Sequence, residues 1–199
     1  MTLNLRIHTT EYPVTVLGPG KRFGVWVQGC CRRCPGCMSP ETWDLNGGII
    51  CDTKNLAEDY IRSGCDGITI SGGEPFLQPE GIADFIQLAG RPGVIIYTGF
   101  TYEELLKKPE VFVLLEQCDL LIDGQFIEEL RDGKNMRGSS NQRAFALTDK
   151  YKDTAAIFGT EATRIEFFFH NDTTHMIGIP TPEWLAREKA NSDNLFANQ

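Results

Sequence analysis

The chain has 199 residues, enough for one full hydrophobic core, and its 41% hydrophobic and 23% charged residues match ordinary globular proteins. No apolar run approaches the roughly 20 residues that span a bilayer, and a net charge of −8 disfavours nucleic acid or anionic membranes as partners. Because the N-terminus lacks the basic stretch and apolar core of a secretory signal, we expect a cytoplasmic protein.

Strand-like and helix-like segments alternate along the first 123 residues. A helical pattern begins after Asp52, a suitable N-cap, and ends at Gly64, with its apolar face expected at Leu56, Ala57, Tyr60 and Ile61. Such alternation is typical of βα units and predicts an α/β fold with a mainly parallel sheet. The predicted strands cover residues 22–29, 67–71, 94–98 and 120–123, and the predicted helices cover 53–63, 79–89 and 101–107.

The chemically distinctive segments follow directly on the predicted strands. They are a cysteine-rich run at 30–37, the tetrapeptide 72–75, and the pairs 98–99 and 123–124. Ligands of parallel sheets bind at the carboxyl ends of the strands. The sequence therefore predicts that these four segments meet at one edge of the sheet.

The pattern changes beyond Thr148. Residues 164–170 and 175–179 flank a polar turn and predict a β-hairpin, and residues 182–189 predict a short helix. We therefore expect two parts, a core at residues 1–148 and a C-terminal extension at 149–199.

Cys30, Cys34 and Cys37 have the spacing C-x3-C-x2-C. Three thiolates on one tight loop can bind three corners of an iron–sulfur cluster and leave the fourth iron open to a substrate. Zinc is the alternative metal, but zinc sites usually have a second pair of cysteines or histidines at short spacing, and none is evident.

The other cysteines and the histidines receive no ligand role. Cys31 adjoins Cys30, and neighbouring side chains on an extended loop point apart. Small buried hydrophobes are the expected role of Cys51, Cys65 and Cys118. No second ligand at metal spacing accompanies any of the three histidines, His8, His170 and His175.

The segment Gly72-Gly73-Glu74-Pro75 follows a predicted strand. Glycines there let a ligand reach main-chain groups, and the proline stiffens the loop. An ordinary strand-to-helix turn is the simpler interpretation of this tetrapeptide alone. Its position one βα unit after the cysteine loop makes a ligand-binding role more specific.

The cysteine loop followed by Gly-Gly-Glu-Pro resembles the radical S-adenosylmethionine (SAM) superfamily. Further segments in order along residues 14–145 resemble the activating proteins of anaerobic ribonucleoside-triphosphate reductases within it. These include Gly36 before the third cysteine, the segment 121–126 (LIDGQF) and the segment 137–142 (RGSSNQ).

The resemblance implies a partial (β/α)6 barrel, a [4Fe-4S] cluster and SAM. It implies that an electron from reduced flavodoxin or ferredoxin cleaves SAM to methionine and a 5′-deoxyadenosyl radical. In the resembled activating proteins this radical abstracts hydrogen from a glycine of a large partner enzyme.

The resemblance also implies site residues. Cys30, Cys34 and Cys37 would ligate the cluster. The segment Gly72, Gly73, Glu74 and Pro75 would contact the methionine end of SAM. Positions that would reach its ribose and carboxylate are Thr98, Asp123, Ser139 and Asn141. No catalytic side chain is implied beyond the cluster and SAM.

Three functions remain open because the resemblance ends near Phe145. The first is an activase that generates a glycyl radical on an anaerobic ribonucleotide reductase-like partner. The second is a stand-alone radical SAM enzyme with a small-molecule or peptide substrate. The third is a non-catalytic iron–sulfur or zinc-binding module, which would not need the glycine-rich loop.

Overall fold

The computed structural model describes residues 3–188. Its strands are β1 (Asn4–Val14), β2 (Arg22–Val27), β3 (Ile49–Asp52), β4 (Gly67–Gly72), β5 (Gly93–Tyr97), β6 (Leu120–Asp123), β7 (Arg143–Ala146), β8 (Ile165–Phe169) and β9 (Thr174–Gly178). Its α-helices are α1 (Thr53–Ser63), α2 (Pro79–Leu88), α3 (Tyr102–Leu105), α4 (Phe112–Leu115) and α5 (Lys152–Ala156), followed by a helical segment at 182–188. Short 3-10 turns lie at Pro40–Thr42, Pro75–Leu77, Pro109–Val111, Glu128–Leu130 and Asp149–Tyr151.

Seven strands form one sheet in the order β3-β1-β2-β4-β5-β6-β7. The central strands β2, β4, β5 and β6 are parallel, which confirms the predicted α/β class. On one side of this parallel unit β1 pairs antiparallel with β2, and β3 pairs antiparallel with β1 at the edge of the sheet; on the other side β7 pairs antiparallel with β6. The sheet is therefore mixed, and the described residues contain four parallel strands where the resemblance implies six βα units.

Helix α1 begins and ends as the sequence predicts. The side chain of Asp52 caps it by accepting a hydrogen bond from Lys54 N at 2.8 Å, and Gly64 ends it with a left-handed φ of 63°. The prediction that Ile61 belongs to the buried face is wrong, since its side chain is 62% exposed. One step along a helix rotates a side chain by about 100°, which takes Ile61 away from the buried face. That face consists of Thr53, Leu56, Ala57 and Tyr60.

The core lies on both faces of the parallel strands. Alternate strand residues point to opposite faces, so each strand supplies both sides. On one face, α1, α2 and α4 cover a large cluster that includes Ile68, Ile70, Val94, Ile96 and Leu121. On the other face a smaller cluster contains Ile95, Leu120, Ile122 and Tyr151.

The amino ends of the parallel strands meet around Arg22, whose side chain is 1% exposed. Its Nε donates to Thr69 Oγ1 at 3.0 Å, its Nη1 donates to Tyr151 Oη at 2.7 Å, and its Nη2 donates to the carbonyls of Ile68 and Gly93. A buried charge is costly unless its hydrogen-bonding groups are satisfied. This arginine is satisfied by neutral acceptors and closes that edge of the sheet.

The C-terminal hairpin is confirmed. Strands β8 and β9 pair in antiparallel register on either side of the polar turn, from Ile165 opposite Gly178 to Phe169 opposite Thr174. The predicted helix is present at residues 182–188, while residue 189 lies outside the described residues. The hairpin returns to the beginning of the chain, where Glu166 accepts hydrogen bonds from the backbone N–H of Thr15 at 2.9 Å and from its hydroxyl at 2.6 Å. Among the described helices, none has the length and apolar character needed to cross a bilayer.

Candidate active site

The cysteine loop begins where β2 ends. Buried Gln28 follows the strand, and its side-chain amide donates to the carbonyls of Glu41 and Asp44 at 3.1 and 2.8 Å. The backbone N–H of Gly29 donates to Thr42 O at 2.8 Å. These bonds join the two ends of the segment that carries the cysteines, so the loop is held at the carboxyl end of the strand.

Three thiols of the loop face one cavity. Cys30, Cys34 and Cys37 line it, whereas Cys31 is exposed and does not. Burial raises the pKa of the Cys34 thiol, and the proximity of Cys37 and Cys30 adds to the rise. This donor set suits a soft metal that attracts thiolates, such as the iron of an iron–sulfur cluster.

Gly36 gives the loop its tight shape. It has a φ of 67°, and a Cβ at this position would lie 2.5 Å from Cδ of Glu128. The guanidinium of Arg131 donates to Gly36 O at 3.2 Å from the same side. Only glycine fits this left-handed, crowded position without strain, which explains why no aromatic residue precedes Cys37.

The glycine-rich segment packs directly against the start of the cysteine loop. Gly73 N donates to Val27 O and Glu74 N donates to Gly29 O, both at 2.8 Å. A Cβ on Gly73 would lie 2.2 Å from Gly29 O, so a side chain there would push the two segments apart. The glycine is therefore required for contact between two protein segments, in addition to any contact with a ligand.

The carboxylate of Glu74 holds the neighbouring loop in place. It is 1% exposed and accepts hydrogen bonds from Phe76 N at 3.1 Å, from the Thr98 hydroxyl at 2.8 Å and from Gly99 N at 2.8 Å. Burial raises its pKa, while these three hydrogen bonds favour the charged form and oppose the rise. Glu74 thus connects the loops that follow β4 and β5.

The cavity between these loops has a volume of about 330 Å³, within the range of small-molecule sites. The cysteine loop and the carboxyl ends of β4 and β5 form its floor. Residues 176–179 of the hairpin form part of a wall. Trp26, Tyr97 and Phe126 add aromatic surface. The C-terminal extension therefore contributes to the same cavity as the core.

The structure brings together most of the predicted site residues. Those that line the cavity are Cys30, Cys34, Cys37, Gly72, Gly73, Glu74 and Thr98. Pro75 is buried behind them. The predicted meeting of the cysteine run with the loops after β4, β5 and β6 is confirmed, because Gly99 and Gly124 line the cavity as well.

Asp123, Ser139 and Asn141 do not line this cavity, and their side chains bond to other protein groups. Asp123 accepts from Tyr102 N at 2.7 Å and from Arg143 Nε at 3.0 Å. Ser139 Oγ accepts from the backbone N–H of residue 127, and Asn141 Nδ2 donates to the backbone carbonyl of residue 125. In this structure these three side chains brace the loops around the cavity.

Arg32 lines the cavity but was not predicted as a site residue. It stacks over Phe100 at 4.3 Å and pairs with Glu104 at 3.1 Å. Its Nε is buried without a hydrogen-bond partner among the described residues. Because the side chain is positively charged and lines the cavity, it would attract an anionic ligand group. The only feature of the sequence that points to Arg32 is its position between Cys30 and Cys34.

These residues fit the group that the resemblance implies. Three cavity-lining thiols can hold three irons of a [4Fe-4S] cluster and leave the fourth accessible from the cavity. The guanidinium charge of Arg32 beside the cavity suits a carboxylate such as that of SAM. The fold and site together define an iron–sulfur enzyme of the radical SAM class.

The comparisons agree with this class. Residues 16–145 match the family described as a 4Fe-4S single cluster domain, and the chain belongs to that family. It is a radical SAM enzyme whose cofactors are a [4Fe-4S] cluster and SAM.

Two relatives are anaerobic ribonucleoside-triphosphate reductase-activating proteins. That of Escherichia coli (strain K12) is 35% identical over 146 residues, which is 66% of this chain and 92% of the relative. That of Enterobacteria phage T4 is 32% identical over 154 residues, which is 72% of this chain and 94% of the relative.

A pyruvate formate-lyase-activating enzyme from Clostridium pasteurianum is 38% identical over 122 residues, covering 55% of this chain and 51% of that enzyme. Among solved structures, QueE from Escherichia coli superposes with a TM-score of 0.42 at 18% identity. The match covers 49% of this chain and 53% of that one.

Proposed function

We propose that the chain is an activase that generates a glycyl radical on a partner enzyme similar to an anaerobic ribonucleotide reductase. One observation carries this proposal: three cysteine thiols line the same cavity as the Gly72–Glu74 segment, which is hydrogen-bonded to the residue before the first of them. The similarity to two kinds of activating protein supports the partner class.

In this proposal Cys30, Cys34 and Cys37 hold the cluster. Gly72, Gly73 and Glu74, with Pro75 behind them, form the methionine side of the SAM site. When bound, the cluster and SAM supply a one-electron reductive cleavage to methionine and a 5′-deoxyadenosyl radical, with the electron coming from reduced flavodoxin or ferredoxin. The hydrogen atom removed by this chemistry would come from a glycine Cα of the partner enzyme, which would thereby carry the glycyl radical.

The chain's own residues position SAM. The positively charged side chain of Arg32 lines the cavity and would attract its carboxylate, and the aromatic side chains of Trp26, Tyr97 and Phe126 line the same cavity. Thr98 lies at the same edge. Asp123, Ser139 and Asn141 act on this site through the loops that they brace.

The proposal also includes the organisation of the chain. Residues 1–148 form a radical SAM core, a partial (β/α)6 barrel. Residues 149–199 form an extension, of which residues 176–179 line one side of the cavity, and the protein works in the cytoplasm.

The hairpin wall favours a second candidate function. Because residues 176–179 narrow the cavity, the chain could instead act alone on a small molecule or peptide. The third expectation, a non-catalytic iron–sulfur or zinc-binding module, is set aside because the chain belongs to the radical SAM enzymes.

The first test is anaerobic. The chain is reconstituted with iron and sulfide, SAM and dithionite are added, and 5′-deoxyadenosine is measured by chromatography. We expect product from the parent and from Cys31→Ala, since Cys31 does not line the cavity. Cys34→Ala should lose both cluster and product, and a full cluster in Cys34→Ala would refute the ligand assignment.

The partner is tested in the same preparation. Adding the anaerobic ribonucleotide reductase of the same organism should produce the doublet EPR signal of a glycyl radical. SAM cleavage without that signal, but stimulated by a small molecule or peptide, would favour the second candidate.

A further inference from the structure

Outside this cavity the structure brings one glutamate into contact with two histidines that lie about 160 residues later in the sequence. Glu11 lies in β1, His170 follows β8, and His175 lies in β9. His170 Nε2 is 2.7 Å and His175 Nδ1 is 2.5 Å from the same oxygen, Glu11 Oε1. Spacing along the sequence does not show this grouping, because the hairpin folds back onto the first strand.

The carboxylate of this cluster is buried beside two imidazoles. Glu11 is 5% exposed, and among the described residues only the two histidines pair with its carboxylate. A buried carboxylate is costly without a positive partner. A bound cation would supply that charge while both imidazoles stay neutral, the form in which histidine ligates metals.

We infer that Glu11, His170 and His175 form a second metal site that binds a divalent transition-metal ion, Zn²⁺ in particular. Two imidazoles and one carboxylate are a ligand set that zinc accepts in proteins. One ligand atom from each residue lies within 4.8 Å of the others. Zinc bonds of about 2.0–2.2 Å in a tetrahedron separate ligand atoms by about 3.3–3.6 Å. The ligand nitrogen of each imidazole would therefore lie about 0.6–1.1 Å farther from Glu11 Oε1 than it does now.

A second cavity, of about 200 Å³, adjoins the site. It is lined by Glu11 and His175 together with His8 and Glu41. Three protein ligands leave a fourth zinc position, which a water molecule from this cavity would fill.

The position of the site suggests its effect. Zinc would join β1 to both strands of the hairpin, and residues 176–179 of the same hairpin form a wall of the cavity beside the cysteines. The metal would therefore fix this wall to the sheet. This inference concerns metal binding and does not depend on the proposed activase function.

The test measures zinc in the full chain after cluster reconstitution. The protein is equilibrated with ZnCl₂, freed of loose metal by gel filtration, and analysed for zinc, iron and sulfide by mass spectrometry and colorimetry. We expect one zinc per chain in addition to the cluster, and at least a tenfold weaker affinity in His170→Ala and His175→Ala. Both histidines are half-exposed, so these variants should fold.

His8→Ala is the matched control, because His8 lines the neighbouring cavity without belonging to the cluster. It should retain zinc, and zinc should raise Tm in the parent and in His8→Ala but not in His170→Ala. Co²⁺ in place of Zn²⁺ should give d–d bands without thiolate charge transfer, which separates this site from the cysteines.

Equal zinc binding by the parent and both histidine variants would overturn the inference. So would the absence of zinc from the parent at saturating ZnCl₂, which would leave a hydrogen-bonded contact between strand and hairpin. The iron content and 5′-deoxyadenosine yield of the same samples report on the proposed function separately.

Discussion

The two ends of the parallel strands are built in opposite ways. At the amino end, all the nitrogens of Arg22 donate to protein acceptors and the group is sealed from solvent. At the carboxyl end, Arg32 keeps an N–H without a partner and three thiols face a cavity. The arginines near the two ends of the strands thus have different roles. Protein groups accept hydrogen bonds from every side-chain nitrogen of Arg22, whereas those of the described residues leave one N–H of Arg32 without a partner.

This contrast separates residues that hold the fold from residues that serve the ligand. A satisfied polar group at a sealed edge contributes to stability, whereas an unsatisfied one beside a cavity has a cost that a ligand can remove. Changes at the amino end should therefore lower the free energy of unfolding, and changes at the carboxyl end should lower SAM binding.

The largest effect is expected from Arg22→Ala. The change leaves the Tyr151 hydroxyl and several buried carbonyls unpaired and opens a void, which should lower the free energy of unfolding by about 3–5 kcal/mol. Urea denaturation under reducing conditions measures it. Arg62→Ala, at a side chain that is 67% exposed, should change stability little. If Arg22→Ala lost less free energy of unfolding than Arg62→Ala, Arg22 would not be stabilising the amino end of the strands.

Arg32→Met tests the carboxyl end of the parallel strands, where we expect SAM binding to change. Losing a charge-assisted hydrogen bond of about 1.5–3 kcal/mol should weaken SAM binding by roughly 10- to 100-fold, with little effect on unfolding. Anaerobic calorimetry with SAM, in the absence of a reductant, checks this. The adjacent Arg33 is exposed and does not line the cavity, so Arg33→Met should bind SAM like the parent.

Glu74→Gln tests a residue that both holds the fold and lines the cavity. The amide NH₂ would face a backbone or hydroxyl donor that now bonds to a carboxylate oxygen, leaving a buried donor unsatisfied at a cost of about 1–3 kcal/mol. Thermal and urea unfolding should both show this loss. Glu116→Gln, at an exposed position, should change stability by less than about 0.5 kcal/mol. If the two variants were equally stable, Glu74 would not be holding the loop after β5.

The smallest effect belongs to Glu103 at the surface. Its hydrogen bonds with Arg143 lower its pKa to about 2. The stabilisation is therefore present above the ordinary glutamate pKa and is lost as pH falls from there through about 2. Carboxyl NMR titration should place its midpoint near 2, and Glu103→Gln should remove the corresponding acid dependence of unfolding. A midpoint at the ordinary value would show that water screens the pair completely.

Local features of the molecule could be predicted from the sequence. The caps Asp52 and Gly64 lie at the ends of their own helix, and a capping box of Thr101 and Glu104 begins the helix that the sequence predicts from residue 101. The convergence of the cysteine loop with the loops after β4 and β5 follows from the geometry of parallel strands. These inferences need only neighbours in sequence or one general rule about sheets.

Features that depend on distant partners could not be predicted. Strands β1, β3 and β7 depend on pairing with neighbouring strands. Their own sequences show little of the residue pattern that predicts a strand. The contact of Glu11 with His170 joins residues 159 positions apart. The roles of Asp123 and Arg32 likewise depend on which partners the fold supplies, and spacing along the chain does not encode those partners.

The return of the hairpin to β1 has a consequence for biosynthesis. The cavity wall at residues 176–179 is made long after the cysteine loop, since a ribosome adding about 5–20 residues per second needs roughly 10 to 30 s to pass from Cys37 to Met176. During that interval the nascent chain carries all three thiols without the wall. The loop is thus open to the machinery that delivers iron and sulfide before the last strand closes over it.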